Sequence, residues 1–133
     1  MLDQLGYDPN AERVAVAKVI AELQALGYMV DDRQTARVGY DLLARHPHSG
    51  DQRCIEVKGF TDSMGPVWLE QSEWAQALQR ADDYWLYVVD ECRSNATVQV
   101  RAKNPAGIFG GNTGKIQRVQ IRLSQLRAQV GQK

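Results

Sequence analysis

Hydrophobic and polar positions change their period several times along the chain, and each change marks an element. In "AERVAVAKVIAELQALGY" (residues 11–28), Glu12, Val16, Val19, Leu23 and Leu26 recur at helical spacing until Gly27 stops the pattern, with Pro9 and Asn10 at its start. At about 100° per residue Glu12 falls within about 20° of the line through Val19 and Leu23, so the spacing predicts a carboxylate on the apolar face. "YMVDD" (28–32) reads as a short strand, and "VGYDLLAR" (38–45) and "QRCIEVKG" (52–59) as two longer ones joined by the polar turn "HPHSGD". "GFTDSMGP" is a loop punctuated by Gly and Pro, "VWLE" a brief strand, and "QSEWAQALQRA" a helix over 71–81. "YWLYVVD" (84–90) is a continuous run of aromatic and β-branched residues, which predicts a central strand covered on both faces. Beyond it, "ATVQVRAK" and "KIQRVQIRL" alternate as half-exposed strands do, "NPAGIFGGNTG" reads as a Gly-rich connection, and "SQLRAQV" as a short closing helix. The order α-β-β-β-α-β plus extra C-terminal strands predicts an α/β fold, a mixed β-sheet flanked by helices.

Length adds the expectation of one domain over residues 1–133, and 44% hydrophobic against 24% charged residues is the balance of an ordinary folded protein. Sixteen basic and sixteen acidic residues cancel. Composition therefore supplies no global pull toward nucleic acid or an anionic membrane, and any DNA binding has to come from a local patch or a partner. No stretch approaches the roughly 18 apolar residues of a membrane span, and the N-terminus lacks a signal-peptide pattern; the expectation is a cytoplasmic protein with no membrane association. Cys54 and Cys92 lie in or beside strand-like runs without C-x-x-C spacing, as reduced structural thiols do.

Asp41, Glu56 and Lys58 carry the candidate chemistry. With residues 38–45 and 52–59 as a hairpin around loop 46–51, symmetry sets Arg45 opposite Gln52, Leu43 opposite Cys54 and Asp41 opposite Glu56. Directly opposed residues share a face with Cβ atoms roughly 5 Å apart, and two like charges so placed repel unless a cation compensates them. Alternation puts Lys58 on the face of Glu56, and Ile55 and Val57 on the other. Oxygen donors from Asp41 and Glu56, joined by the Val57 carbonyl, suit Mg2+, with Mn2+ as a substitute. Such a site suits phosphodiester hydrolysis by a metal-bound water, with Lys58 orienting that water or neutralising the phosphate in the transition state. Glu12, from the neighbouring helix, would bind a second metal or hold a water. Against this stands a plainer reading. Glu-x-Lys on a strand is commonly a solvated ion pair, a bulge would turn the two carboxylates apart, and a first-turn acid such as Glu12 is favoured by the helix dipole alone.

These same residues carry a resemblance. "ERVAVAKVIAELQALGY", "GYDLLA", "CIEVKG", "VWLEQSEWAQA" and "YWLYVVD", over roughly residues 12–105, resemble in order the domain named for the C-terminal region of the NO VEIN protein, within the PD-(D/E)XK restriction-endonuclease-like superfamily. The resemblance implies a nuclease fold, with the superfamily's core acids on Asp41 and Glu56, its lysine on Lys58, and its first-helix acid on Glu12 or, as the alternative, Glu22. It also places Gln71 and Glu73, at the start of the following helix, toward the substrate. The family pattern usually carries threonine where this chain has Glu70, which leaves Ser72 as a candidate N-cap. Implied, too, are Mg2+-dependent cleavage of DNA in a restriction, defence or repair system, a helicase or ATPase partner, and room for a homodimer. The alternative is a catalytically silent module of the same fold that binds nucleic acid or protein.

Tyr40 and Trp68 flank the proposed site and are the candidates for stacking on bases, while Trp74 and Trp85 read as core. His46 and His48 fit a solvated turn. Arg93, Arg101, Lys103, Lys115, Arg118 and Arg122 make the last third locally basic, as a phosphate-tracking face or simply a soluble surface. The glycine cluster before Lys115 does not fit a phosphate-binding loop, because Ile116 follows the lysine.

Overall fold

The first helix, α1 (Pro9–Ala25), begins where the Asp8 side chain accepts the Asn10 N–H at 3.0 Å, with proline in the first turn. The structure, a computed structural model, describes residues 8–110 and 118–131. Ala11, Ala15, Val16, Val19 and Leu23 are the buried residues of α1. Leu26, expected on that stripe, lies past the last turn and is 57% exposed.

Three strands follow in an antiparallel meander: β1 (Met29–Asp32), β2 (Leu42–Arg45) and β3 (Gln52–Gly59). Leu43 pairs with Cys54 and Arg45 with Gln52, as hairpin symmetry predicts. β4 (Val67–Glu70) leads into α2 (Gln71–Arg80), which returns the chain so that β5 (Tyr84–Asp90) lies parallel to β3. β6 (Thr97–Lys103) closes the five-stranded sheet in the order β1-β2-β3-β5-β6. Every residue of β5 is buried, and strands flank it on both sides, as its unbroken apolar run predicts. Among the described residues, no helix is long and apolar enough to cross a membrane.

The two faces of the sheet bury separate cores. Ile55, Val57, Trp85, Tyr87 and Val89 pack with α1 on one face; Leu43, Cys54, Tyr84, Leu86 and Val88 pack with Trp74 and Ala77 of α2 on the other. Gly59 permits the tightest approach of α1, since a Cβ there would lie 2.7 Å from the Ala11 carbonyl oxygen and 2.8 Å from the Ala15 Cβ. Cys54 and Cys92 are both buried and free.

Three expectations need correction. The strand expected over 38–45 is only Leu42–Arg45, because Arg37 and Gly39 have φ of 54° and 87° and turn the chain before it can join the ladder. The Gly39 carbonyl accepts the Tyr84 hydroxyl at 2.8 Å, and a Cβ at Gly39 would sit 2.5 Å from the Gln76 side chain; the turn is pressed between β5 and α2. Second, the connection after β6 contains a short helix, α3 (Pro105–Phe109), started by Asn104, whose side chain accepts the Gly107 N–H at 3.0 Å. Third, the late strand β7 (Arg118–Ile121) pairs with β4 in a separate two-stranded sheet instead of extending the main one. Residues 115–117 of the expected strand lie outside the described residues. The closing helix, α4 (Leu123–Arg127), buries Leu126 in the α2-side core.

Candidate active site

Asp41 stands one residue before β2, where the ladder ends. Its N–H donates to the Ile55 carbonyl at 2.8 Å, its carbonyl accepts the Arg33 N–H at 2.6 Å, and its carboxylate accepts the Val57 N–H at 2.8 Å. A continuing strand would have offered Val57 a backbone carbonyl; the turn at Gly39 removes it and the Asp41 side chain takes its place. The expected ladder pairing of Asp41 with Glu56 is therefore not formed, and the carboxylate lies beside β3 at the end of β2. The Val57 carbonyl points to that same side of β3, since the N–H and C=O of a strand residue project to one side.

Glu56 and Lys58 alternate with Val57 and point to the α2 face. Glu56 is 3% exposed. Lys58 Nζ lies 3.2 Å from Glu56 Oε2 and 3.2 Å from Glu73 Oε1. Glu73, in the first turn of α2, also accepts the Glu70 N–H at 2.8 Å, so one carboxylate both closes the start of the helix and holds the lysine. Glu12 is half-buried on α1 and close enough to Asp41 to act on its charge.

These contacts leave the site short of positive charge. Burial raises the Asp41 carboxyl to about 6; the Val57 N–H opposes the rise, Glu12 and Glu73 add to it, and Lys58 again opposes it. Glu56 is pushed well above the usual carboxylate range, first by burial and then by Asp41 and Glu73, with Lys58 only partly offsetting them. Burial alone would lower Lys58, but Glu56 and Glu73 outweigh it and hold the ammonium charged. Asp41, Glu56 and Glu73 thus all draw on the charge of one ammonium. Among the described residues, no three His, Cys, Asp or Glu side chains form a ready metal cage. The donors nonetheless fit a hard divalent cation: buried carboxylate oxygens, a strand carbonyl, and too little positive charge to keep both Asp41 and Glu56 ionised.

The other candidates distribute as follows. Gln71 is exposed at the start of α2. Tyr40, expected at the substrate, is 8% exposed, packed in the α2-side core with the Arg80 guanidinium 5.1 Å from its ring centre; burial leaves no open face for a base. Trp68 is half-buried on β4. Glu22 is paired with Arg101, at 2.7 and 2.5 Å. Ser72 is not the N-cap of α2; Glu70 occupies that position. Arg101 is thereby paired; Arg93, paired with Asp62 at 2.5 Å, stays exposed, as do Lys103 and Arg122, and Lys115 and the Arg118 side chain lie outside the described residues. His46 serves its own turn by accepting the Ser49 N–H at 3.1 Å. The bond between Glu73 and Lys58 has no periodic signature, although the spacing Glu70-x-x-Glu73 is that of reciprocal helix capping.

The family described as Protein NO VEIN, C-terminal, matches residues 11–102. No curated protein matches the chain. Among solved structures, Hjc, a Holliday junction resolvase of the archaeal hyperthermophile Archaeoglobus fulgidus, is similar over 88% of this chain and 88% of its own, with a TM-score of 0.61 at 15% identity. At that identity the likeness is one of fold: a PD-(D/E)XK restriction-endonuclease-like mixed sheet flanked by helices, as expected from the sequence. The chain belongs to the NO VEIN C-terminal family.

Proposed function

We propose that this member of the NO VEIN C-terminal family is a metal-dependent nuclease domain that hydrolyses phosphodiester bonds in DNA. The observation that carries the reading is the joint placement of Asp41, Glu56, Lys58 and Glu12 where β2 ends, with Asp41 and Glu56 under-compensated. Asp41, Glu56 and the Val57 carbonyl would hold Mg2+, or Mn2+ in its place. When bound, the cation supplies an activated water and offsets charge on the phosphate. Asp41 is fixed by the Val57 N–H, so its position does not depend on the cation. Lys58 brings a permanent positive charge to the phosphate in the transition state, and Glu12, on the neighbouring helix, would hold a water of the site. The chain's zero net charge favours delivery of DNA by a helicase or ATPase partner within a restriction, defence or repair system.

One observation favours a second reading, a catalytically silent binding module: Lys58 is held by two carboxylates, Glu56 and Glu73. The test is cleavage of plasmid, linear duplex, single-stranded and four-way-junction DNA with Mg2+ or Mn2+, using wild type, Asp41→Ala and Glu56→Ala. Cleavage lost in both variants supports the nuclease; binding without cleavage, unaffected by chelation, supports the module.

A further inference from the structure

We infer that Glu73 is a positioning residue that acts through Lys58: it takes over the lysine's charge when Glu56 turns to a divalent cation, and so permits the metal and the lysine to coexist. The inference rests on the metal-site reading above and extends it to a residue that was expected to face the substrate.

The geometry is that of a shared cation. Lys58 Nζ stands 3.2 Å from Glu56 Oε2 on its own strand and 3.2 and 3.5 Å from the two oxygens of Glu73 on α2. A divalent ion on Glu56 competes with Lys58 for the same carboxylate, and two cations so close together repel strongly in a poorly solvated site. Without a second anion the ammonium has two options: keep Glu56 and exclude the metal, or leave. Glu73 removes that conflict. Its position is secured independently, since the same Oε1 accepts the Glu70 N–H at 2.8 Å at the start of α2. The helix N-terminus is thereby tied to the lysine across 15 residues of chain, and Lys58 can release Glu56 without travelling.

Calorimetric titration of Mn2+ into the whole chain tests this with a double-mutant cycle on Glu73→Gln and Lys58→Met. Glutamine keeps an oxygen for the Glu70 N–H, so the helix start survives while the charge is lost. Glu73→Gln is expected to weaken Mn2+ binding on the order of tenfold, and Lys58→Met to tighten it. In the Lys58→Met background Glu73→Gln should cost less than about twofold, because the group through which it acts is gone. Equal weakening in both backgrounds would make Glu73 a ligand or a general charge and overturn the inference. So would unchanged binding in Glu73→Gln while Glu56→Ala abolishes it, which leaves the metal site standing. No Mn2+ binding by wild type would overturn both readings.

Discussion

Strand β3 carries a half-buried cation near each end, and the two are treated in opposite ways. At its start, Arg53 lies 3.0 Å from Asp51, donates to the Tyr87 hydroxyl at 2.7 Å, and stacks 3.9 Å from the Trp85 ring centre and 4.9 Å from that of Tyr28. Tyr28 donates its hydroxyl to the same Asp51. Each charge there has a partner of the other sign, and further hydrogen bonds from Tyr28 and to Tyr87 tie the pair in. Burial would raise Asp51, but Tyr28 and Arg53 outweigh it and hold the carboxyl below its usual range. At the other end Lys58 faces several carboxylates, and Asp41 is driven up to about 6. A closed cluster of this kind holds a fold together; an under-compensated one is a cost that a bound cation can relieve.

The comparison breaks first at Glu56. Replacing Glu56 or Asp41 by alanine is expected to reduce metal-dependent DNA cleavage by at least about 100-fold, with metal-free stability unchanged or higher for Glu56→Gln, as cleavage assays and chemical denaturation of the same preparations will show. Arg53→Ala should do the reverse. It strips the partly exposed Asp51 of its cation and the Trp85 and Tyr28 rings of their stacking partner, and is expected to cost about 2 kcal/mol of stability, while Mn2+ affinity measured by calorimetry stays at the wild-type value.

Acidity sharpens the contrast. The Asp41 carboxyl rises from 3.8 unfolded to about 6 folded; its favourable contribution is complete below about pH 3.8 and is lost as pH climbs through about 6, on the order of 3 kcal/mol. Asp51 has the opposite sign: its lowered value gives stability that is present above 3.8 and fades as pH falls below it. Denaturation of metal-free protein from pH 4 to 8 should therefore show a decline that runs from about 4 to about 6, which Asp41→Asn reduces and saturating Mn2+ reverses. The smallest effect is expected at Gly59→Ala. The added methyl meets the Ala11 carbonyl and Ala15, costs about 1–2 kcal/mol, and shifts the helix bearing Glu12; urea midpoints against wild type measure it.

Much of this molecule can be read from period and spacing. The hairpin register follows from two arms of alternating residues around one polar turn, and Leu43 does face Cys54. The full bounds of β3 and β5 follow from their apolar runs. Asp41 departs from the extrapolation because Gly39 and Arg37 adopt positive φ under the pressure of α2, which alternation along a strand cannot anticipate. Tyr40 is misjudged for a related reason: nearness in sequence to the site did not reveal that the turn folds its ring inward beneath Arg80.

Residues two, three or four apart share a face by backbone geometry alone, so Glu56 with Lys58, and the stripe of α1, are properties of the chain itself. The Asp41 carboxylate on the Val57 N–H and the Glu73 carboxylate on Lys58 join residues 16 and 15 positions apart. They exist because β3, α2 and β5 fold back on one another and bury the site. The same burial makes a handful of ordinary acids chemically unusual, since a carboxylate's charge is costly only where water has been excluded and too few cations remain.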